Sequence, residues 1–288
     1  MSSATIWEHR RGRVDLSQHG LIMGVLNVTP NSFSDGGHFL DHAAAIAHAR
    51  WLIDEGADII DVGGESTRPG SLPVPPDEEL RRVIPVIQAI REGSDILISI
   101  DTSKAEVAHE AMLAGADIIN DVTGLRGDPA MPTVAAETRA AAVLMHMQGT
   151  PATMQSAPEY ADVCSEVRDF LRQSMALALG SGMSVESLAV DPGIGFGKSP
   201  VHNNSLLAEL PVFAALERPI LIGVSRKSYL GWLGDAPAME DRHWPGVAVT
   251  SFCRELGARI FRVHEPRPHR EALRMTEAIL HATPAAHA

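Results

Sequence analysis

The sequence has 288 residues, of which 45% are hydrophobic and 21% charged, and its formal net charge is −12. This composition excludes a disordered chain and, with only two cysteines, Cys164 and Cys253, a small disulfide-stabilised scaffold. The excess of acidic residues argues against nucleic acid as a partner, and no apolar run reaches the roughly 18 residues of a membrane helix.

The N-terminal segment and the cysteines bear on the cellular location. The segment lacks the basic stretch followed by an apolar one that marks a secretory signal peptide. The two cysteines lie far apart and have no metal-binding spacing. We therefore expect a cytoplasmic protein in a reducing environment.

Eight apolar, strand-like segments alternate with helical patterns. The strands are predicted at residues 22–27, 58–62, 96–101, 117–122, 142–146, 187–191, 220–224 and 259–263, and helices between them at residues 43–55, 78–91, 105–114 and 163–179. Strands that are apolar throughout are buried on both faces, as in a parallel sheet. Eight such units predict a single-domain (β/α)8 barrel of the TIM type over residues 21–281, and a doubly wound open sheet is the main alternative. Residues 1–20 are predicted to form an N-terminal extension and residues 282–288 a flexible tail.

A short phrase occurs three times, as Gly-Ala-Asp-Ile-Ile-Asp at residues 56–61, Gly-Ala-Asp-Ile-Ile-Asn at residues 115–120 and Gly-Ala-Arg-Ile-Phe-Arg at residues 257–262. Glycine suits the end of a helix, and a β-branched run suits a buried strand. The phrase therefore predicts a helix-to-strand joint. Such joints occur in any parallel α/β protein, so the repeat indicates the fold class and not the topology.

Each predicted strand ends in polar or charged residues. In chain order these are Asn27, Asp61, Asp101, Asn120, His146, Asp191, the run Ser225-Arg226-Lys227-Ser228, and Arg262 with His264. A single polar residue at such a position often caps the next helix, and for Asp101 the following Ser103 and Glu106 form a capping-box pattern. Polar residues at the carboxyl ends of all eight barrel strands are better explained by a site for a polar small molecule.

The chemistry of these residues divides into two groups. Asp101, Asn120 and Asp191 could face a planar heterocycle with paired N–H donors, because a carboxylate accepts two such bonds. Asn27, Arg262 and His264 could hold an anion such as phosphate. The sequence has no adjacent Ser/His/Asp or Cys/His set, so covalent catalysis is not favoured. The long loops at residues 27–37 and 63–70 are candidates for lids.

These motifs together resemble the dihydropteroate synthase family of pterin-binding enzymes. The matching segments are residues 23–30 with 32–37, 61–70, 100–102, 120–121, 144–149, 191–198, 225–228 and 262–264, in the order found in the family. The resemblance spans residues 20 to 280 approximately, and so many ordered motifs are far more specific than a single glycine loop.

The resemblance implies a (β/α)8 barrel and an enzyme of folate biosynthesis. Members condense 6-hydroxymethyl-7,8-dihydropterin pyrophosphate with 4-aminobenzoate, giving 7,8-dihydropteroate and pyrophosphate. It also implies Mg²⁺ as a cofactor, a homodimer, and sulfonamides as inhibitors that imitate 4-aminobenzoate. The unusual region at residues 231–249, with Trp232 and Trp244, motivates the hypothesis that this is a sulfonamide-resistant form.

Carried over position by position, the resemblance assigns roles to individual residues. Asp101, Lys227 and Asp191 are the implied catalytic residues. The implied pterin ligands are Asp101, Asn120, Met145, Asp191 and Lys227. Pyrophosphate is assigned to Asn27, Arg262 and His264, with the metal ion next to Asn27. The implied 4-aminobenzoate pocket consists of Phe33, Thr67, Arg68, Pro69, Phe196, Lys227 and Ser228.

Two other functions share part of this pattern. A corrinoid-linked methyltransferase has a related pterin-binding barrel, but needs neither the Ser-Arg-Lys-Ser run nor the Ser-Thr-Arg-Pro loop, and both are present. A non-catalytic pterin-binding paralogue would have lost the anion-binding residues Asn27, Arg262 and His264, which remain.

Overall fold

The structure is a computed structural model that describes residues 5–29, 38–68, 70–232, 238 and 242–282, with side chains described from residue 42 in the second range. It opens with two short strands, β1 (Ile6–His9) and β2 (Gly12–Asp15). The strands that follow are β3 (Leu21–Asn27), β4 (Ile59–Gly63), β5 (Leu97–Asp101), β6 (Ile118–Asp121), β7 (Ala141–Met145), β8 (Leu188–Asp191), β9 (Leu221–Ile222) and β10 (Ile260–Val263). The helices are α1 (His38–Asp54), α2 (Pro76–Gly93), α3 (Ala105–Ala114), α4 (Met131–Glu137), α5 (Val163–Gly180), α6 (Pro200–Ala208), α7 (His243–Glu255) and α8 (Pro266–Leu280).

Strands β3 to β10 form one parallel sheet in the order β8-β7-β6-β5-β4-β3-β10-β9. A parallel bridge between Val190 and Ile220, beside the ends of this order, brings its first and last strands together. The sheet is thus a nearly closed barrel, and the prediction of a (β/α)8 barrel is confirmed. The open-sheet alternative is wrong because its edge strands would remain apart.

The strands alternate between an inward and an outward face, with a period of two residues. On β4 and β5, Ile60 and Ile98 pack outward against the helices, whereas Ile59 and Leu97 pack inward. The inward layer at the amino-terminal end of the barrel is apolar and is filled by Met23, Ile59, Ile118, Ala141, Ala189, Leu221 and Ile260. Because this end is plugged, an opening for a ligand can exist only at the carboxyl end.

The two short strands β1 and β2 form an antiparallel hairpin that closes the plugged end of the barrel. Trp7 is fully buried within the inward apolar layer, and its indole N–H donates to the carbonyl of Ser187 at 3.0 Å. Sequence reasoning treated residues 1–20 only as an extension, and the domain boundaries at residues 20 and 281 stay a prediction.

The repeated joint has a common hydrogen-bond role. Asp58 and Asp117, at equivalent positions of the first two copies, accept the amide N–H groups of Ile22 and Ile98 at 2.7 and 3.0 Å. Each carboxylate thereby ties its own strand to the strand before it. The glycines that begin the three copies all have positive φ, namely 96° at Gly56, 120° at Gly115 and 105° at Gly257. The prediction that they end helices is therefore confirmed for a physical reason, since glycine adopts this conformation without steric strain.

Across the ranges that the structure describes, no helix combines the length and the apolar character needed to cross a membrane.

Candidate active site

The polar strand ends meet inside the carboxyl-terminal mouth of the barrel. Side chains two residues apart on a strand lie on the same face. Asp61 therefore shares the inward face with Ile59, and Asn120 shares it with Ile118. The inward residues at the carboxyl ends of the other strands include Asn27, Asp101, Met145, Asp191 and Arg262. The alternation of the strands thus places nearly all of the predicted pterin and anion residues around one opening.

An ion cluster lies at the centre of this mouth. The Nε of Arg262 donates to Asp61 Oδ2 at 2.6 Å, and its Nη2 donates to Asp101 Oδ2 at 2.7 Å. The amide of Asn120 donates to the same Asp61 carboxylate at 3.2 Å. Asp61 is fully buried and organises the cluster. The sequence placed Asp61 among the polar strand ends of the site but predicted no individual role for it.

Asp101 is part of this cluster and not a helix cap. The N-cap of α3 is Lys104, whose side chain makes no capping bond, and the amide of Ala105 donates instead to Asp128 Oδ2 at 2.9 Å. The capping-box interpretation of Ser103 and Glu106 is therefore wrong. The carboxylate of Asp101 is left for the mouth of the barrel.

Burial and neighbouring charges shift the pKa values of Asp101 and Arg262 in this cluster. Burial raises the pKa of Asp101 to about 7; nearby Arg262 opposes this, and the carboxylates of Asp61, Glu79 and Asp121 add to it. Burial works against the charge of Arg262, but Asp61 and Asp101 outweigh it and raise the pKa of Arg262. A permanent cation thus lies beside an acid that exchanges its proton near neutral pH.

The turn after β8 passes directly over another backbone segment. A Cβ at Gly193, where φ is 69°, would lie 1.9 Å from the carbonyl oxygen of His146, so only glycine fits. The amide of Gly193 donates to Asp191 Oδ1 at 2.7 Å, which orients that carboxylate. Burial raises the pKa of Asp191, against the opposing charges of Lys227, Lys198 and Arg262.

Lys198 holds this turn from inside. Its ammonium group contacts His146 Nδ1 at 2.9 Å and donates to the carbonyls of Gly193 and Phe196 at 3.0 and 2.9 Å. Burial lowers the pKa of Lys198 well below its usual value, and burial together with the Lys198 charge lowers the pKa of His146 to about 3. The sequence predicted no individual role for Lys198. Its place in a glycine-rich turn after a strand was the signal for this role.

Lys227 packs against the turn that follows β8. Its ammonium group donates to the carbonyl of Ile194 and lies 4.5 Å from the centre of the Phe196 ring. Burial lowers the pKa of Lys227 to about 8, although the nearby Asp191 carboxylate opposes this. Lys227, Asp191 and Phe196 are therefore brought together as the sequence predicts.

The other side of the mouth is positively charged around His264. The imidazole Nδ1 and the amide of His264 contact Ser225 Oγ at 3.1 and 3.2 Å. Burial lowers the pKa of His264 to about 3, and four cations add to this effect: Arg226, Arg262, Arg68 and Lys227. A neutral imidazole amid several cations suits an anionic ligand.

The residues predicted to contact 4-aminobenzoate are less tightly grouped. Thr67 is half-buried, whereas Arg68 and Ser228 are exposed. A cavity of about 400 Å³ extends from Asp101 to Thr67, with Lys104, Met147 and Phe170 in its wall. Phe33 and Pro69 lie outside the described residues, as does most of the first predicted lid.

Comparison with known proteins supplies the family context. A sequence profile described as pterin binding enzyme matches residues 23–264. The dihydropteroate synthase of Escherichia coli strain K12 is 48% identical over 269 residues, which cover 93% of this chain and 94% of that protein.

Solved structures agree with the sequence comparison. The Xanthomonas albilineans dihydropteroate synthase with 4-aminobenzoic acid has a TM-score of 0.91 and 41% identity, covering 97% of this chain and 100% of that one. The Yersinia pestis dihydropteroate synthase in a sulfonamide drug complex has a TM-score of 0.89 and 41% identity, covering 96% and 100%.

Proposed function

The chain belongs to the pterin-binding enzyme family, in its dihydropteroate synthase group, and from this premise we propose how its residues carry out that group's reaction. The reaction condenses 6-hydroxymethyl-7,8-dihydropterin pyrophosphate with 4-aminobenzoate to 7,8-dihydropteroate and pyrophosphate. The observation that carries the assignment of residues is the buried Asp61–Arg262–Asp101 cluster, which lies beside the cationic surroundings of His264. Hydrogen-bond acceptors for a pterin and cationic groups for its pyrophosphate thus lie in the same mouth of the barrel.

The acids and the amide would bind the pterin ring. Asp101, Asn120 and Asp191 offer acceptors to its ring N–H and amino groups, and a buried carboxylate strengthens such bonds. Met145 is buried on the inward face of β7, where it would pack against the ring. Lys227 would sit beside Asp191 and donate to an acceptor of the pterin.

Bond breaking would precede attack by the arylamine. The C–O bond to pyrophosphate breaks and its electron pair leaves with pyrophosphate, so a cation stabilised by the pterin forms at the methylene carbon. The Asp101 carboxylate would stabilise that charge. The arylamine nitrogen then forms the C–N bond and loses a proton. No protein nucleophile is needed in these steps.

Arg262, His264 and Asn27 would bind the pyrophosphate. Arg262 is held by two carboxylates, so its guanidinium is fixed in place before substrate binds. Neutral His264 would donate an N–H to a phosphate oxygen, and the surrounding cations would offset the substrate's charge.

The residues present fit Mg²⁺ held mainly by the substrate. A Cβ at Gly63 would lie 3.7 Å from Asp101 Oδ2 and 3.8 Å from Asn27 Oδ1, so both oxygens converge over a glycine. Among the residues that the structure describes, no group of three or more His, Cys, Asp or Glu side chains could hold a metal ion. This agrees with an ion bound by one or two protein oxygens and substrate phosphates. When bound, Mg²⁺ would neutralise charge developing on pyrophosphate.

Pyrophosphate release by the purified protein tests this function. With the pterin pyrophosphate and Mg²⁺ present, we expect release that depends on 4-aminobenzoate, and dihydropteroate identified by mass. Treatment with EDTA should abolish release, and added Mg²⁺ should restore it. Pterin binding without release would instead support the non-catalytic paralogue, or the methyltransferase if corrinoid-dependent methyl transfer were then found.

The pH dependence of kcat/KM should have two limbs. It should fall below about pH 7, because the pKa of Asp101 is raised to about 7 and its protonated form loses the negative charge. It should also fall above about pH 8, where Lys227 loses its ammonium charge. The alkaline limb should vanish in Lys227→Arg, because a guanidinium keeps its charge over this pH range. A flat profile between about pH 6 and pH 9 would contradict both roles.

We propose a homodimer formed through α7 and α8. These helices pack against each other, and they leave Trp244, Phe252, Met275 and Ile279 exposed. Scattered apolar residues are common on surfaces, but a group on two adjacent helices is typical of an interface. Light scattering should give twice the chain mass of 30.9 kDa, and a monomer would exclude the proposal.

We also propose that sulfonamides compete with 4-aminobenzoate, in line with the drug complex of the Yersinia pestis relative. Resistance stays a separate proposal, motivated by residues 231–249. Trp232 and Trp244 are both exposed there, while residues 233–237 and 239–241 lie outside the described part of the chain. Inhibition by sulfamethoxazole as strong as that of a sensitive enzyme would remove the resistance proposal.

A cytoplasmic location is proposed from the cysteines. Cys164 and Cys253 are both free and buried, and burial raises the pKa of each thiol. Unpaired thiols are typical of a reducing compartment. Fractionation of the source cells would test the location.

A further inference from the structure

Lysine is rare in this chain, and its positions are not random. Of 24 lysine and arginine residues only three are lysine: Lys104, Lys198 and Lys227. Each follows a strand at the carboxyl-terminal mouth of the barrel, namely β5, β8 or β9. All the others are arginine. Lys198 and Lys227 hold the turn after β8 and the proposed pterin site, whereas the mechanism above does not use Lys104.

Lys104 bridges two carboxylates from different parts of the chain. Its ammonium group lies 2.5 Å from Glu65 Oε2 and 2.5 Å from Glu79 Oε2. The Glu79 side chain is fully buried, and that of Lys104 is 21% exposed. Burial opposes the charge of Lys104, but its bonds to Glu65 and Glu79 outweigh this and raise its pKa.

The bridge fixes the two ends of the loop after β4. Glu65 is near the start of that loop, and its Oε2 also accepts the amide of Val74, near the loop's end, at 2.9 Å. Arg82 on α2 donates to the carbonyl of Gly64 at 2.8 Å, just before Glu65. The segment between these attachments carries Thr67 and Arg68.

We infer that Lys104 is a positioning residue that holds the loop of Thr67 and Arg68 over the 4-aminobenzoate pocket. Lys104 lies three residues after Asp101, so one bridge connects the proposed pterin side of the mouth to the loop of Thr67 and Arg68. The inference rests on the proposed placement of 4-aminobenzoate against that loop. A displaced loop weakens binding of the second substrate while leaving the pterin site assembled.

Steady-state kinetics of Lys104→Met test the inference. We expect the KM for 4-aminobenzoate to rise by about tenfold or more, and the KM for the pterin pyrophosphate to change by less than about twofold. Equal changes in both KM values, or in neither, would overturn the inference. If this variant does not fold, Glu65→Ala decides the matter, because it removes the acceptor that ties the loop to Lys104 and leaves Lys104 paired with Glu79, and the same difference in KM is expected.

Arg91→Met is a matched control. Arg91 pairs with Asp117 at the opposite end of the barrel, and the side-chain exposures of that pair, 21% and 0%, equal those of Lys104 and Glu79. We expect Arg91→Met to lower the melting temperature and to leave both KM values unchanged. A purely structural role for Lys104 would give the same result as this control.

Thr67→Ala tests the proposed placement of 4-aminobenzoate separately from the role of Lys104. If Thr67→Ala leaves the KM for 4-aminobenzoate unchanged, the placement is wrong and the inference falls with it. If Thr67→Ala raises that KM while Lys104→Met and Glu65→Ala do not, the placement of 4-aminobenzoate stands and the role of Lys104 is wrong.

Discussion

Replacement of Lys227 or Asp191 by alanine is expected to lower kcat/KM by roughly 10³-fold while the protein remains folded. The Lys227 ammonium lies within 4.5 Å of the Phe196 ring, and its pKa of about 8 leaves it mostly charged at pH 7. Its loss removes a cation from a site for two anionic substrates. The loss of Asp191 removes a pterin acceptor and leaves Lys227 without its counter-charge. Stopped assays of dihydropteroate formation, with circular dichroism to check folding, measure both effects.

Arg218→Met provides the control for these two variants. Arg218 is also a mostly buried cation, but it donates to the carbonyl of Val185 at 2.7 Å, before β8 and so away from the mouth. We expect this variant to lose stability and keep its kcat/KM. Near-normal activity in Lys227→Ala or in Asp191→Ala would remove the role assigned to that residue.

The second large effect is expected for Arg262→Met, which should lower kcat/KM by at least about 10²-fold and the free energy of unfolding by about 3–5 kcal/mol. The variant leaves the carboxylates of Asp61 and Asp101 buried without their shared cation. It also removes a proposed ligand of pyrophosphate. Chemical denaturation and steady-state kinetics measure the two losses separately.

Two further variants separate the structural from the catalytic role of Arg262. The double variant Asp61→Asn with Arg262→Met removes one unpaired charge, so we expect it to recover part of the stability and none of the activity. Arg262→Lys should also stay impaired, because Arg262 reaches Asp61 and Asp101 with two different nitrogens, and the single nitrogen of lysine cannot occupy both positions. Full activity in either variant would contradict the proposed role.

Local patterns were sufficient to predict most of the barrel. All eight barrel strands begin within two residues of their predicted starts. An apolar run between turns is recognisable without knowledge of the neighbouring strands. Strand β9 is shorter than predicted and comprises only Leu221–Ile222. The hairpin of β1 and β2 was not predicted, since its four-residue strands carry a mixed pattern and only packing against the barrel buries Trp7.

For the candidate site, too, some features follow from the sequence and others do not. The sequence by itself determined which residues reach the mouth, because side chains alternate along a strand and polar strand ends follow apolar runs. It could not determine which of them pair. Arg262 and Asp61 are 201 residues apart, and Lys104 and Glu65 are 39 residues apart.

Only the tertiary structure decided those pairings, together with the burial that shifts the pKa values of Asp101 and Lys227. Closure of the barrel places β10 beside β3, and β4 beside β5. Interactions between side chains and exclusion of water both depend on distances in space, which a strand's own pattern does not contain. The sequence thus determined the chemical groups of the site, and barrel closure determined their partners and their charge.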